Sequence, residues 1–353
     1  MRNPGKFGNR KVKVIIIGHD GYIGSVMTPI LQVAGHEIAG VDIYFFSDRH
    51  NKPGQQDFPV IEKDIRDFDS DILRGYEAII HLAALSNDPL SEMNPALTSE
   101  INYWATINIA RLAKEAGVRR FLFASTCSVY GMINENEQAS EKTAVRPLTE
   151  YAVSKVRVEK DLAGMADASF SPVILRNATA YGWSPNFRSD LVLNNLAGWA
   201  FTSKEIRIMS DGTPWRPIIH VSDIAKAFEA ILTAPQEIVH NQVFNVGVNY
   251  QNYQVRELAE IVREGFLGCR VIYDEHGGPD PRSYRVDFSK INKCIPEFKP
   301  SWNAQMGVEE LRNAYQEINL SYEDFSGPKY VRIAKLKSLI QEGRLERDLR
   351  WKV

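Results

Sequence analysis

The chain has 353 residues, 44% apolar and 24% charged, with a formal net charge of −2. That length suits one or two globular domains, and the near-neutral charge gives no reason to expect nucleic acid or an anionic membrane as partner. No uninterrupted apolar run reaches the roughly 20 residues of a membrane helix. The opening, Met1 to Lys13, is basic and polar, without the apolar segment of a signal peptide. Three cysteines, Cys127, Cys269 and Cys294, form an odd set without metal-type spacing, so a cytoplasmic location and no metal are expected.

In chain order, VKVIIIG (12–18) predicts a buried strand and 22–34 a helix. Further strands are predicted at 36–42, 58–64 and 76–84. Residues 95–117 carry helical periodicity up to Gly117. A strand at 118–125 precedes a helix at 148–166, with Thr149 as candidate cap, and a strand at 171–177. Short apolar strands alternating with helices imply parallel pairing, because parallel strands need crossover connections. The expectation is a doubly wound α/β sheet. Beyond it, Pro, Trp, Asn and Arg cluster at 182–195, and shorter elements follow at 205–209, 218–232, 242–247 and 255–266. The expected division is 1–181 with 217–248 returning to it, a smaller mixed α/β unit from 182–216 and 249–320, and a charged tail, 321–353. The tail reads as a solvated, partly helical surface segment.

The first strand runs into Gly18-His19-Asp20-Gly21-Tyr22-Ile23-Gly24. Gly18 permits a tight turn, Gly21 lets backbone approach a pyrophosphate, and Gly24 lets the helix lie close on the sheet. The helix N-terminus then faces the phosphates. Asp42, ending the second strand, stands where an acid takes a ribose diol, which favours NAD over NADP. Leu82, Ala83 and Ala84 leave room at the fourth strand's end for the diphosphate and nicotinamide ribose. His81 reads as a satisfied core histidine.

Tyr151 and Lys155 lie four residues apart, on one helix face. A phenol is a poor base near neutrality, but a neighbouring ammonium and an oxidised nicotinamide favour its phenolate. Tyr151 could then take a proton from an alcohol while hydride leaves the same carbon.

GHDGYIG (18–24), Asp42, DIRD (64–67), HLAA (81–84), STCSVYG (125–131), YAVSK (151–155), LRNATAYG (175–182) and DGTPWRPIIHVSDIA (211–225) together resemble the extended short-chain dehydrogenase/reductase family, in its NAD-dependent epimerase/dehydratase branch. The resemblance runs from Val12 to about Leu311 and implies a Rossmann fold, NAD as cofactor and a homodimer through 95–117 and 148–166. It implies Tyr151 as acid/base, Lys155 as ribose anchor and Thr126 as hydrogen-bond partner of the reacting oxygen. Asp64 and Ile65 would hold the adenine end, with Ser125, Asn177 and Ala178 also beside the cofactor. Asn102 would steady the active-site backbone.

The implied substrate is a sugar on a nucleoside diphosphate. A diphosphate calls for arginine. Arg216 matches a family phosphate ligand, and Arg282 is a second candidate, although the family's usual arginine stands where this chain has Gly277-Gly278. Ser86, Asn87, Asp190, Asn194 and Asn195 complete the expected substrate set. Thr179 replaces the asparagine usual at its position, so the pocket is altered.

Three chemistries start with hydride removal at sugar C4: 4-epimerisation, 4,6-dehydration and a net 4-dehydrogenation or ketoreduction. Dehydratases that resemble this chain carry Asp and Glu after the threonine, where this chain has Cys127 and Ser128. Without that carboxylate pair, elimination ranks low. Cys127 is out of register with the catalytic cysteine of certain family epimerases and reads as a packing residue. The expectation is an NAD-dependent nucleotide-sugar 4-epimerase, with a 4-dehydrogenase or 4-ketoreductase as the alternative. A silent NAD sensor would not need Tyr151, Lys155 and Thr126, and a reductase of hydrophobic alcohols would not need Arg216.

Overall fold

A computed structural model describes residues 10–47, 57–86, 88–134, 137–274 and 282–352. Twelve strands are described. They are β1 (Lys13–Ile17), β2 (Glu37–Asp42), β3 (Val60–Glu62), β4 (Ala78–His81), β5 (Arg120–Thr126), β6 (Ser171–Asn177), β7 (Thr179–Tyr181), β8 (Glu205–Ile208), β9 (Trp215–His220), β10 (Gln242–Val246), β11 (Asn252–Gln254) and β12 (Arg270–Tyr273). Seven of them form one parallel sheet in the order β10-β6-β5-β4-β1-β2-β3. The order reverses between β1 and β4, and such a switch point opens a crevice at the strands' carboxyl ends.

The central strands are apolar on both faces because helices cover both. Val14 and Ile16 enter one core with Leu122, Phe228 and Phe244; Ile15 and Ile17 enter the other with Ile79, Phe121 and Phe123. This alternation follows from the two-residue period of a strand. A third core, with Tyr181, Leu193, Leu258 and Leu311, lies under two small sheets, β11-β9-β7 and β12-β8.

The sequence expectation and the structure differ in two places. The helix predicted over 95–117 is interrupted: Pro95–Ser99 is α-helical, Glu100–Ala105 is a π-turn, and Thr106–Glu115 is α-helical again. The wider turn seats Asn102, whose amide grips both the N–H and the carbonyl of Leu85 (2.8 and 3.1 Å).

The second difference is the tail, which is not a solvated surface segment. Leu336, Leu339, Leu345 and Leu349 are fully buried in the core beneath Ile15 and Ile79. Trp351 donates from Nε1 to the Ile43 carbonyl at 2.8 Å, just beyond β2. Within the amphipathic helix Arg332–Gln341, Lys335 and Lys337 stay at least partly exposed while Leu336, Leu339 and Arg332 are buried, so the charge of the tail conceals an apolar face. Leu339→Ala should therefore cost about 2–5 kcal/mol, as a core truncation does. Equilibrium denaturation followed by circular dichroism measures this; a change within about 0.5 kcal/mol, as at a surface position, would show the tail to be peripheral.

Candidate active site

The carboxyl ends of β1, β2, β4, β5 and β6 open into a cavity of about 1200 Å³ that continues beneath β8 and β9. Drug-sized pockets run to about 1,000 Å³, so this space suits a dinucleotide and a second ligand together.

The glycine turn forms one wall. Gly18 has φ +91°, and a Cβ there would stand 2.7 Å from the Ala83 nitrogen. A Cβ on Gly24 would collide with the Gly18 carbonyl, so the helix Gly24–Val33 packs on the turn only because residue 24 has no side chain. Among the described residues, the N–H groups of Tyr22, Ile23 and Gly24 have no protein acceptor, and all three residues line the cavity. Free N–H groups at a helix start are an anion site. Asp42, at the end of β2, accepts from the N–H of Asp20 at 3.0 Å and of Tyr44 at 2.9 Å, which fixes its carboxylate at the cavity edge. The glycine cradle, the free N–H groups and the acid fit an NAD diphosphate and its adenosine ribose. Asp64, Ile65, Leu82, Ala83 and Ala84 line the same space, as do Asn177 and Ala178.

At the other end, Thr126, Tyr151 and Lys155 come together. Thr149 caps the helix Glu150–Met165, its Oγ1 accepting from the Ala152 N–H at 3.3 Å, as the sequence suggested. Lys155 Nζ donates to the Ala124 carbonyl at 2.8 Å and lies 5.8 Å from the Tyr151 ring centre. Thr126 lies beside the Tyr151 hydroxyl, close enough to favour its ionised form. Its Oγ1 also donates to Ser128 Oγ at 3.1 Å, and Ser128 Oγ shares a 3.2 Å bond with the Tyr284 hydroxyl. Burial pulls the Lys155 ammonium down to about 7. Burial pushes the Tyr151 phenol up to about 12, against the pull of Arg188 and the nearby Thr126 hydroxyl. In the protein alone burial outweighs the neighbouring cations, whereas the lowering expected from the sequence includes an oxidised nicotinamide beside the phenol.

Ser86, Thr179, Asp190, Asn195, Arg216 and Arg282 all line the cavity. Arg216 donates to the carbonyls of Trp215 and Arg282, and Arg282 pairs with Asp88. Asn195 donates to the Ser189 carbonyl at 3.0 Å. Asn194 is corrected: it is fully buried behind the wall, accepting from the Gly182 N–H and donating to the Arg188 carbonyl (both 2.9 Å), so its amide shapes the loop instead of meeting a ligand. Asn102 likewise lies behind the wall, where steadying backbone is its visible task. Asn87 and Gly277-Gly278 fall outside the described residues.

His81 is buried, with Nε2 2.9 Å from Thr106 Oγ1, but its Nδ1 lacks a partner among the described residues, so it is only half satisfied. Cys127 is buried and donates to the Arg176 carbonyl at 3.2 Å, and burial drives its thiol far above its ordinary range. A thiol so held is a packing group, not an acid/base.

Three groups escaped the sequence reading. Arg188 is buried, bidentate to Asp190 (3.0 and 2.7 Å) and donating to Ser86 at 2.9 Å. Its place two residues before Asp190, within the polar 182–195 stretch, was the available signal. Glu159, four residues beyond Lys155 on the same helix face, binds Ser125 and takes a bidentate pair from Arg176. Arg332 reaches the cavity from the tail, and no local pattern announces it.

A parallel sheet with a glycine turn, a ribose-ready acid and a Tyr/Lys pair defines an NAD-dependent oxidoreductase-type fold and site. Residues 14–247 match the NAD dependent epimerase/dehydratase family, and the chain belongs to it. It is an enzyme of that family, and NAD is its cofactor. It is 29% identical over 317 residues to the "Uncharacterized UDP-glucose epimerase YtcB" of Bacillus subtilis (strain 168), covering 84% of this chain and 96% of the relative. It is 26% identical over 340 residues to the UDP-glucuronate 4-epimerase of Thermodesulfobacterium geofontis (strain OPF15), covering 90% and 99%. Among solved structures, MoeE5 in complex with UDP-glucuronic acid and NAD superposes with a TM-score of 0.74 at 27% identity, over 87% of this chain and all of that one. Among the described residues no helix is long and apolar enough to cross a membrane.

Asp42→Ala should weaken NAD about ten- to a hundredfold, the worth of charge-assisted bonds to a diol, and remove the preference over NADP. Calorimetric titration with both dinucleotides reads this; NADP binding tighter than NAD in the unaltered protein would refute the role given to Asp42.

Proposed function

We propose that the enzyme is a 4-epimerase of a sugar carried on a nucleoside diphosphate, acting through transient oxidation at C4. The carrying observation is the convergence of Thr126, Tyr151 and Lys155 in a wall where positions 127 and 128 hold no carboxylate. Bound NAD supplies the hydride acceptor and, after the keto sugar has turned over, the hydride donor. Tyr151 takes the C4 hydroxyl proton as hydride leaves and gives it back on return. Thr126 orients that oxygen, and Lys155 holds the nicotinamide ribose while its charge favours the phenolate. Arg188 adds a second cation whose pull on the phenol is visible in the protein alone.

Elimination across C5–C6 would need a further acid and base. Cys127 is turned into the core. Asp88, whose charge reaches Tyr151, is held by Thr149 at 2.7 Å and by Arg282. Arg216 and Arg282 are assigned the substrate diphosphate, and Ser86, Thr179, Asp190 and Asn195 the sugar and nucleotide. The relatives' names support uridine diphosphate as the carrier. A homodimer through the faces of 95–117 and 148–166 is part of the proposal, supported by Trp104, 59% exposed on that side.

Tyr151→Phe should keep NAD binding and lower turnover at least a thousandfold, roughly the upper part of what positioned acid/base catalysis contributes. Unchanged turnover would sink the assignment. Because the phenol must lose a proton, oxidation should rise with pH, and Arg188→Gln should move that limb to higher pH. Product NMR on a panel of nucleotide sugars, with the NADH absorbance followed in parallel, separates the alternatives: net NADH formation would mean a dehydrogenase.

A further inference from the structure

Arg332 is a cavity residue that the chemistry above does not use. It is 5% exposed and donates from Nη2 to the Asn186 carbonyl at 2.8 Å. Its guanidinium carbon lies 4.1 Å from the Phe46 ring centre. Asn186 in turn donates to the Asp20 carbonyl, so a two-bond bridge ties Arg332 to the glycine turn that carries the free N–H groups of Tyr22, Ile23 and Gly24. A guanidinium has five N–H donors, and the Asn186 carbonyl is its single acceptor among the described residues.

The charge balance around it is incomplete. Burial and then Arg188 pull the Arg332 guanidinium down to about 9, with Asp190 and Asp42 opposing. Asp190 is already paired with Arg188, and Asp42 is committed to two backbone N–H groups. A buried cation with partly engaged counterions is costly unless an anion joins it. The anion that the glycine turn is shaped to receive is a diphosphate.

The rest of the tail braces this position. Arg66, in the wall at the adenosine end, donates to the carbonyls of Asp348 (2.8 Å) and Leu349 (3.2 Å). Arg350 pairs with Asp67 at 2.5 Å. Trp351 binds the Ile43 carbonyl and lies 5.8 Å, ring to ring, from Phe45. Both segments that line the adenosine end, 43–46 and 64–67, thus carry the tail on their outer side.

We propose that Arg332 is a cofactor-binding residue that clamps the NAD diphosphate against the glycine turn, and that the tail from Arg332 to Trp351 forms the wall that retards NAD release. The inference rests on NAD occupying the cavity and not on the sugar or the reaction, so its readout is dinucleotide binding, not turnover.

The test compares the unaltered protein with Arg332→Ala, Arg332→Lys and, as control, the exposed tail arginine in Arg347→Ala. NAD, NADP, ADP and adenosine are titrated by calorimetry, and NADH release is followed by stopped-flow fluorescence. Arg332→Ala should raise the dissociation constants of NAD and ADP about tenfold or more, the worth of one charge-assisted contact, and leave adenosine unchanged. Arg332→Lys should recover part of the loss, and Arg347→Ala should change nothing. Trp351→Phe, which keeps the ring and removes the bond to Ile43, should speed NADH release severalfold. Unchanged ADP affinity, an equal loss for adenosine, or a larger loss for NADP than for NAD would overturn the proposal. If the alanine variant does not fold, the lysine variant carries the same ADP-against-adenosine comparison, and equal losses there overturn it too.

Discussion

The site depends on the rotation of one helix against one strand end. Glu150–Met165 presents Tyr151, Lys155 and Glu159 at intervals of four, and each is tied to the end of β5. Thr126 stands beside the Tyr151 hydroxyl, the Ala124 carbonyl holds Lys155, and Ser125 with Arg176 holds Glu159. A rotation that freed any one of them would leave a buried charge or hydroxyl unpaired, which costs more than the bond itself contributes. The polar run at the strand end is therefore a docking edge as much as a reactive one. This explains why Ser125 faces a carboxylate while Cys127 turns inward.

The same burial that fixes these groups sets their protonation. Lys155 is brought close to neutrality and Tyr151 is held as a phenol. An oxidised nicotinamide would add a further positive charge to that of Arg188 beside the phenol. In the proposed mechanism, proton abstraction by Tyr151 would then be coupled to the redox state of bound NAD.

Much of this was legible in the sequence because it is local. Strand and helix alternation gave the parallel sheet, the glycine spacing gave the turn, and the four-residue interval gave the Tyr/Lys face. What was not legible is what depends on distant partners. The π-turn at Glu100–Ala105 has no propensity signal; it is set by Asn102 reaching Leu85 and Ser154. Asn194 is expected at the ligand from its place in the resembled family's pocket, yet the loop above it uses its amide. Arg332 lies in a charged helix whose buried face becomes visible only once the leucines of the tail meet the underside of the sheet.

That last arrangement bears on biogenesis. A ribosome delivers β1, the glycine turn and β2 early and Trp351 late, with the remaining ten strands in between. The early segments can pair and bury their apolar faces while the adenosine end still lacks its outer side. Domains generally fold as units during synthesis, and here the outer side of the adenosine end is completed only by the tail. The nascent sheet spends that interval with the part of its core that Leu336, Leu339, Leu345 and Leu349 later fill still open.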